Sequence, residues 1–203
     1  MSSTPAHAAR AASARRHAAV LIFGAWFVAT SLFGAWTVAQ HVVPLPAAAT
    51  RDVAHADRPR ARHVLGADCG CSASIGRDLI KRGPRPGWEE TVVLLDAQPE
   101  LERGLRAAGF AVQTLPPENA ARTLGVQGAP WLSLHFPDGR VAYDGGYARL
   151  RPGLPGYENL DAALMHDVEQ GRAPARLAAY GCATSQSLRD RLDPWHLKYP
   201  ASQ

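Results

Sequence analysis

Between Ala18 and Gln40 the chain reads AAVLIFGAWFVATSLFGAWTVAQ, a run without one ionisable side chain. A bilayer core takes about 20 apolar residues as a helix, because only a helix or a closed barrel satisfies backbone N–H and C=O groups without water. The run predicts one transmembrane anchor over residues 18–43, preceded by a short segment, 1–17. Arg10, Arg15 and Arg16 precede it with no acid among them, whereas its far side is uncharged until Arg51 and then mixes Asp52 and Asp57 with arginines. Counted close to the helix, that asymmetry keeps the N-terminus in the cytoplasm and sends the rest of the chain out. A cleaved signal peptide is the rival reading, with PAAATR at 46–51 offering small residues for cleavage. The apolar run is longer, however, than the roughly 7–15 residues of a signal core. In either case the cysteines leave the reducing cytosol, and a disulfide can persist.

The net charge is +4, but the positive residues are scattered and often paired with acids. No basic stripe is interleaved with aromatics, so nucleic acid is not an expected partner. Residues 44–61 are rich in proline and alanine, lack an apolar period, and predict a linker holding a folded domain off the membrane. That domain is expected over 62–171. RHVLG (62–66) reads as a strand, and SASIGRDLIKRG (72–83) as a helix with Ile75, Leu79 and Ile80 on one face and Gly83–Pro84 as its stop. TVVLLDA (91–97) has the continuous apolar character of a strand covered on both faces. PELERGLRAAG (99–109) opens with proline, has acids early and arginines late, and closes on glycine, all helix signals. FAVQTL (110–115) predicts a strand and PENAARTLG (117–125) a short helix. WLSLHF (131–136), which alternates, and VAYDGG (141–146) form a hairpin about the PDGR turn. A helix is expected over 157–171 from the spacing of Leu160, Leu164 and Val168. The C-terminal extension, 172–203, shows no readable element. Alternating strands and helices with a closing hairpin imply an α/β fold with a mixed sheet.

The chain has three cysteines, and two of them, Cys69 and Cys71, are separated by a single glycine just before the helix expected from Ser72. Such a turn is expected to be exposed. A helix N-terminus presents unpaired N–H groups and positive partial charge, which favour thiolate, the form that attacks disulfides and binds soft metals. As a redox pair, Cys69 and Cys71 would close a small ring. Gly70, without a Cβ, eases its formation, and strain in it would make the bond readily reduced. As a metal clamp they suit Cu(I). A third ligand would then have to come from His63, His135 or His166, each of which reads as a structural or solvent-exposed residue. Zinc wants four ligands, and no fourth is fixed. Two ordinary buried thiols are the remaining alternative. Asp68 is a candidate acid or base beside Cys69, or a solvated loop carboxylate. Cys182 leaves an odd count, so it pairs with Cys69 or Cys71, stays single, or joins another molecule. Hydrolase and nucleotide chemistry lack their signatures: SASIG and TSQS are not nucleophile elbows, and no phosphate-cradling loop is present.

The order of elements, with cysteines between the first strand and first helix, resembles the thioredoxin-like fold. PENAARTLGVQGAPWLSLHFPDGRVAYDGGY (117–147) is similar to the stretch of that family in which a short helix leads to a cis-proline and a hairpin. Val126, Gly128 and Ala129–Pro130 carry that match, which extends over roughly residues 62–171. The family's usual cysteine spacing is one residue longer. Cys69–Gly70–Cys71–Ser72, Tyr143–Asp144–Gly145–Gly146 and Gly181–Cys182 also resemble a set of membrane-anchored bacterial thioredoxin-like proteins. The resemblance implies Cys69 as nucleophile, Cys71 as resolving thiol, and Pro130 as a wall of the substrate groove. It further implies no cofactor, and protein thiols or disulfides of the cell envelope as partners. Copper delivery and a non-catalytic envelope interaction module are the alternatives.

Overall fold

The computed structural model describes residues 5–40, 44–152, 154–195 and 199. The chain divides into two compact units, 1–41 and 42–203. In the first, α1 (Pro5–Gln40) is one continuous helix. Its stretch Arg16–Trp36 is long and apolar enough to cross a membrane, and none of it is buried. Leu21 is 73% exposed and Phe23 65%, so nothing within this unit covers the apolar surface.

The second unit is built on a five-stranded mixed sheet in the order β3–β2–β1–β5–β6. β1 (Arg60–Gly66) pairs in parallel with β2 (Glu89–Leu95), which pairs in parallel with β3 (Ala111–Leu115). On its other side β1 pairs antiparallel with β5 (Trp131–His135), which continues through a hairpin into β6 (Val141–Gly145). The parallel connections are made by α2 (Gly70–Arg82) and α3 (Pro99–Ala107); α4 (Pro117–Leu124) and the two-residue strand β4 (Gly128–Ala129) lead into β5. α5 (Asp161–Glu169), β7 (Cys182–Ala183) and α6 (Gln186–Leu192) follow the hairpin. β4 and β7 form a separate two-stranded ladder.

Successive strand residues point to opposite faces, and both faces are apolar. Leu65, Leu94 and Leu132 join Ile75 and Leu79 of α2, Leu105 of α3 and Met165 of α5 in one core layer. Val64, Val93 and Trp131 join Ala120 of α4 and Leu188 of α6 in the other.

Four expectations change on this frame. The stretch 44–59, read as a linker, runs extended along the domain. Its backbone N–H groups are satisfied by loop carbonyls: Leu45 by Ala179 (2.7 Å), Ala49 by Gly125 (3.0 Å), Val53 by Gly139 and Ala56 by Pro137 (both 2.9 Å). Leu45 is buried. Gly139, at φ +90°, has no room for a Cβ because the Val53 carbonyl lies there. Thr50 is tied down as well, its hydroxyl donating to Asp144 at 2.7 Å. With this strap and the extension covering the second face, all five residues of β5 are buried, so the alternation of WLSLH does not mark a solvent face. α5 starts at Asp161 rather than 157, where the Asn159 side-chain oxygen accepts from the Asp161 N–H at 3.1 Å. The extension, unreadable in sequence, contributes β7 and a helix capped by Ser185, whose hydroxyl accepts from the Leu188 N–H.

Far from the cysteine end of α2, a buried charge cluster ties helix to sheet. The Glu90 carboxylate accepts from both Arg82 Nη atoms (2.7 and 3.1 Å) and lies 2.9 Å from His63 Nε2. Arg82 Nε also donates to Asp161 at 2.9 Å, and His63 Nδ1 meets the Tyr147 hydroxyl at 3.0 Å. Burial pushes the Glu90 carboxyl up, but the hydrogen bonds of His63 and Arg82 more than reverse this and bring it down to about 2.

Candidate functional site

The C-terminal end of β1 delivers the Cys-Gly-Cys segment. Beyond Gly66, Ala67 donates its N–H to Leu95 at 3.1 Å, and Asp68 turns the chain in the left-handed region at φ 50°. Asp pays little for that conformation because its short polar side chain bonds locally. Cys69 is then extended (φ −113°, ψ 107°) as the N-cap of α2, its carbonyl accepting from Ala73 at 2.9 Å. The Ser72 hydroxyl accepts from the Gly66 N–H at 2.9 Å and draws the first helical turn back onto the strand. The helix consequently begins at Gly70, two residues earlier than the apolar period indicates, and Cys71 lies inside its first turn.

Asp68 and Gly70 of this turn are exposed, as expected, but its thiols are not: Cys69 is 4% and Cys71 9% accessible. What covers them is the loop containing Ala129–Pro130, whose peptide bond is cis, together with the C-terminal extension. Cys69 Sγ lies 3.6 Å from the Ala129 carbonyl oxygen, to which it donates when protonated. In the β4–β7 ladder Ala129 is paired with Cys182 and Gly128 with Ala183. The N–H groups of Thr184 and Ser185 both reach the Gln127 carbonyl, at 2.8 and 3.3 Å. The extension presses so closely here that a Cβ on Gly181 would overlap the Ala129 carbonyl and the Pro130 ring. Pro130 is therefore buried beneath the extension rather than lining an open groove.

All three cysteines are thiols. Hydrogen bonds from Cys182, first, and from Cys71 hold the Cys69 thiol far below its ordinary pKa, against the opposing effect of burial; Ser72 adds its hydroxyl and backbone N–H. Cys71 moves the other way. Its proton is held in the hydrogen bond to Cys69, burial and the neighbouring negative charge raise it further, and Arg151 only partly offsets this. The pair therefore favours negative charge on Cys69 and the proton on Cys71.

Cys182 is half-buried and lines a cavity of about 320 Å3 with Gly66, Asp68, Asp96, Thr184 and Arg189 among its walls. Asp68 is exposed at the mouth. The candidate histidines are elsewhere: His63 in the buried cluster, His135 buried beneath the strap with Nε2 3.3 Å from the Arg51 carbonyl, and His166 beside Glu169. Among the described residues no group of three or more His, Cys, Asp and Glu side chains is arranged to hold a metal ion. Sequence reasoning brought Cys69 and Cys71 together but gave Cys182 no position. The odd cysteine count and the Gly181–Cys182 resemblance were its only signals.

No family model matches the chain, and no curated protein matches it. Solved structures do. A hypothetical protein from Sinorhizobium meliloti 1021 is 18% identical, with 70% of this chain and 94% of that one covered and a TM-score of 0.49. An uncharacterised conserved protein from Geobacillus kaustophilus is 14% identical over 70% and 92% of the two chains, at 0.47. The thioredoxin domain of a thiol-disulfide oxidoreductase from Bacteroides vulgatus is 14% identical over 64% and 98%, at 0.37. The strand order, the cysteines opening the first helix after β1, and a cis-proline loop facing them ahead of an antiparallel hairpin make the fold of this chain thioredoxin-like.

Proposed function

We propose that the chain is a thiol–disulfide exchange protein, anchored by α1 in a bacterial inner membrane with its N-terminus in the cytoplasm and its domain in the periplasm. Its partners in this reading are protein thiols and disulfides of the cell envelope. The observation that carries the reading is the placement of the Cys69 sulfur at a helix N-cap, beside two further thiols that pull its pKa down and against the cis-proline loop. A thiol of low pKa is deprotonated at neutral pH and is a good leaving group, so it makes and breaks disulfides quickly. Stabilising the thiolate also stabilises the reduced form, which inclines the site toward donating disulfides. The anchor rests on the length and apolarity of Arg16–Trp36 and on the arginines that precede it.

The test is exchange with a fluorescence-quenched peptide disulfide, using the full chain in detergent. Wild type is expected to catalyse exchange over many turnovers and Cys69→Ser to lose multiple turnover. Equal rates for the two would refute the proposal. Copper delivery has no comparable support: two neighbouring thiols suit Cu(I), but His63, His135 and His166 are each engaged elsewhere.

A further inference from the structure

We infer that the disulfide this domain forms is Cys69–Cys182, across the β4–β7 ladder, and that Cys182 is the sulfur that meets the substrate. This rests on the exchange reading above and assigns its chemistry to different residues. The resemblance to thioredoxins implies a bond between the two cysteines of the helix N-terminus. The geometry argues for another partner.

Three observations carry the assignment. First, Cys69 is the extended N-cap and Cys71 lies within the first helical turn, with only Gly70 between them. A bond from Cys69 to Cys71 must close a small ring across that turn, which departs from relaxed disulfide geometry. Second, Cys182 is placed by main-chain structure. It pairs with Ala129, whose carbonyl is the one beside Cys69 Sγ, and Thr184, two residues on, is pinned to Gln127. Its thiol, like that of Cys71, bonds toward the Cys69 sulfur. Gly181 lets the strand come this near, since any side chain there would strike the Ala129 carbonyl. Third, access differs. Cys69 and Cys71 are buried, whereas Cys182 is half-buried and borders the cavity. A substrate sulfur approaching from solvent meets Cys182 first.

The step balances as follows for a substrate dithiol. One substrate thiolate attacks Cys182 Sγ of the bridge; the Cys69–Cys182 bond breaks and its electron pair leaves on Cys69. The second substrate thiolate then attacks the substrate sulfur of the mixed disulfide and expels Cys182, which takes up a proton. The substrate loses two electrons and two protons and gains an S–S bond; the bridge gains the two electrons, ending as the Cys69 thiolate and the Cys182 thiol, with the remaining proton released to solvent. The reverse sequence reduces a substrate disulfide. Cys71 is a positioning residue, its S–H stabilising the departing Cys69 sulfur.

The experiment equilibrates the full-length protein in a dithiothreitol redox buffer, alkylates remaining thiols, and maps linked peptides in wild type, Cys71→Ser and Cys182→Ser. Exchange with the fluorescence-quenched peptide disulfide is followed in parallel. A Cys69–Cys182 linkage is expected in wild type and in Cys71→Ser. Cys182→Ser is expected to lose multiple turnover. In Cys69→Ser, the peptide should become attached at Cys182. A Cys69–Cys71 bond in wild type, with Cys182→Ser turning over normally, would overturn this inference and leave the exchange reading intact. Peptide attachment at Cys69 in Cys182→Ser, as fast as wild type reacts, would overturn the role of Cys182 as the entering sulfur. Absence of any linkage and of exchange in every protein would overturn both.

Discussion

Two ends of helix α2 hold buried ionisable groups and treat them in opposite ways. At the C-terminal end, Arg82 meets Glu90 and Asp161, and Glu90 also meets His63, so every charge faces a complementary partner. At the N-terminal end the influences that hold the Cys69 thiol down are two thiols, a hydroxyl and a backbone N–H. The first arrangement lowers the energy of one fixed state. The second stabilises a charge with groups that can themselves react with it. Perturbed titration alone therefore does not separate a structural cluster from a reactive one; the chemistry of the neighbours does.

Removing Glu90 should produce the largest effect. Its side chain is fully buried, and truncation leaves Arg82 and His63 facing an empty site. Glu90→Ala is expected to destabilise the domain by about 3–5 kcal/mol, read by thermal or denaturant unfolding. If the two ends are independent, the Cys69 titration stays where it was. A shift in that titration would break the comparison. The same group sets an acid limit. Its carboxyl titrates near 2 when folded against an ordinary 4.5, so its contribution is complete above pH 4.5 and declines as pH falls toward 2. Unfolding midpoints measured across that window should fall in wild type and be flatter in Glu90→Ala.

At the other end, Cys182→Ala is expected to raise the Cys69 pKa, because the Cys182 hydrogen bond is the largest influence holding it down. Cys71→Ala should raise it less. Thiolate absorbance followed against pH distinguishes the two, and the reverse ranking would mean that Cys71 is the main stabiliser. The smallest effect is expected at Arg85, whose pair with Glu169 is about 30% exposed on both sides. Arg85→Ala should cost about 0.2–1 kcal/mol and leave the thiol titrations unchanged.

Local signals in the sequence account for most of the scaffold. The apolar periods of α2, β2 and α3, the proline and glycine that bound α3, and the PDGR turn between β5 and β6 all lie within a few residues of the structure they specify. What sequence did not reveal is non-local. The strap 44–59 has no apolar period because its hold on the domain is made chiefly by backbone N–H groups, which every residue but proline carries. The early start of α2 depends on a hydroxyl of Ser72 reaching back to Gly66. His135 reads as outward-facing from alternation, and is buried because the strap lies over it. The placement of Cys182 depends on a two-residue ladder, too short to leave a pattern. Two of the three sulfurs were thus legible in place, and the third only as an odd count and a Gly–Cys resemblance without a position.

The brevity of that ladder has a consequence for motion. The main sheet is sewn by pairings of four to seven residues, β4–β7 by two. Short pairings near the surface open before the core does, at a free energy well below that of global unfolding. Amide protons of Ala183 and Thr184 should therefore exchange with deuterium earlier than those of Val93 or Leu94, and a covalent link at Cys182 would slow them selectively. Deuterium uptake along residues 180–185 would then report the oxidation state of a sulfur that itself exchanges no amide proton.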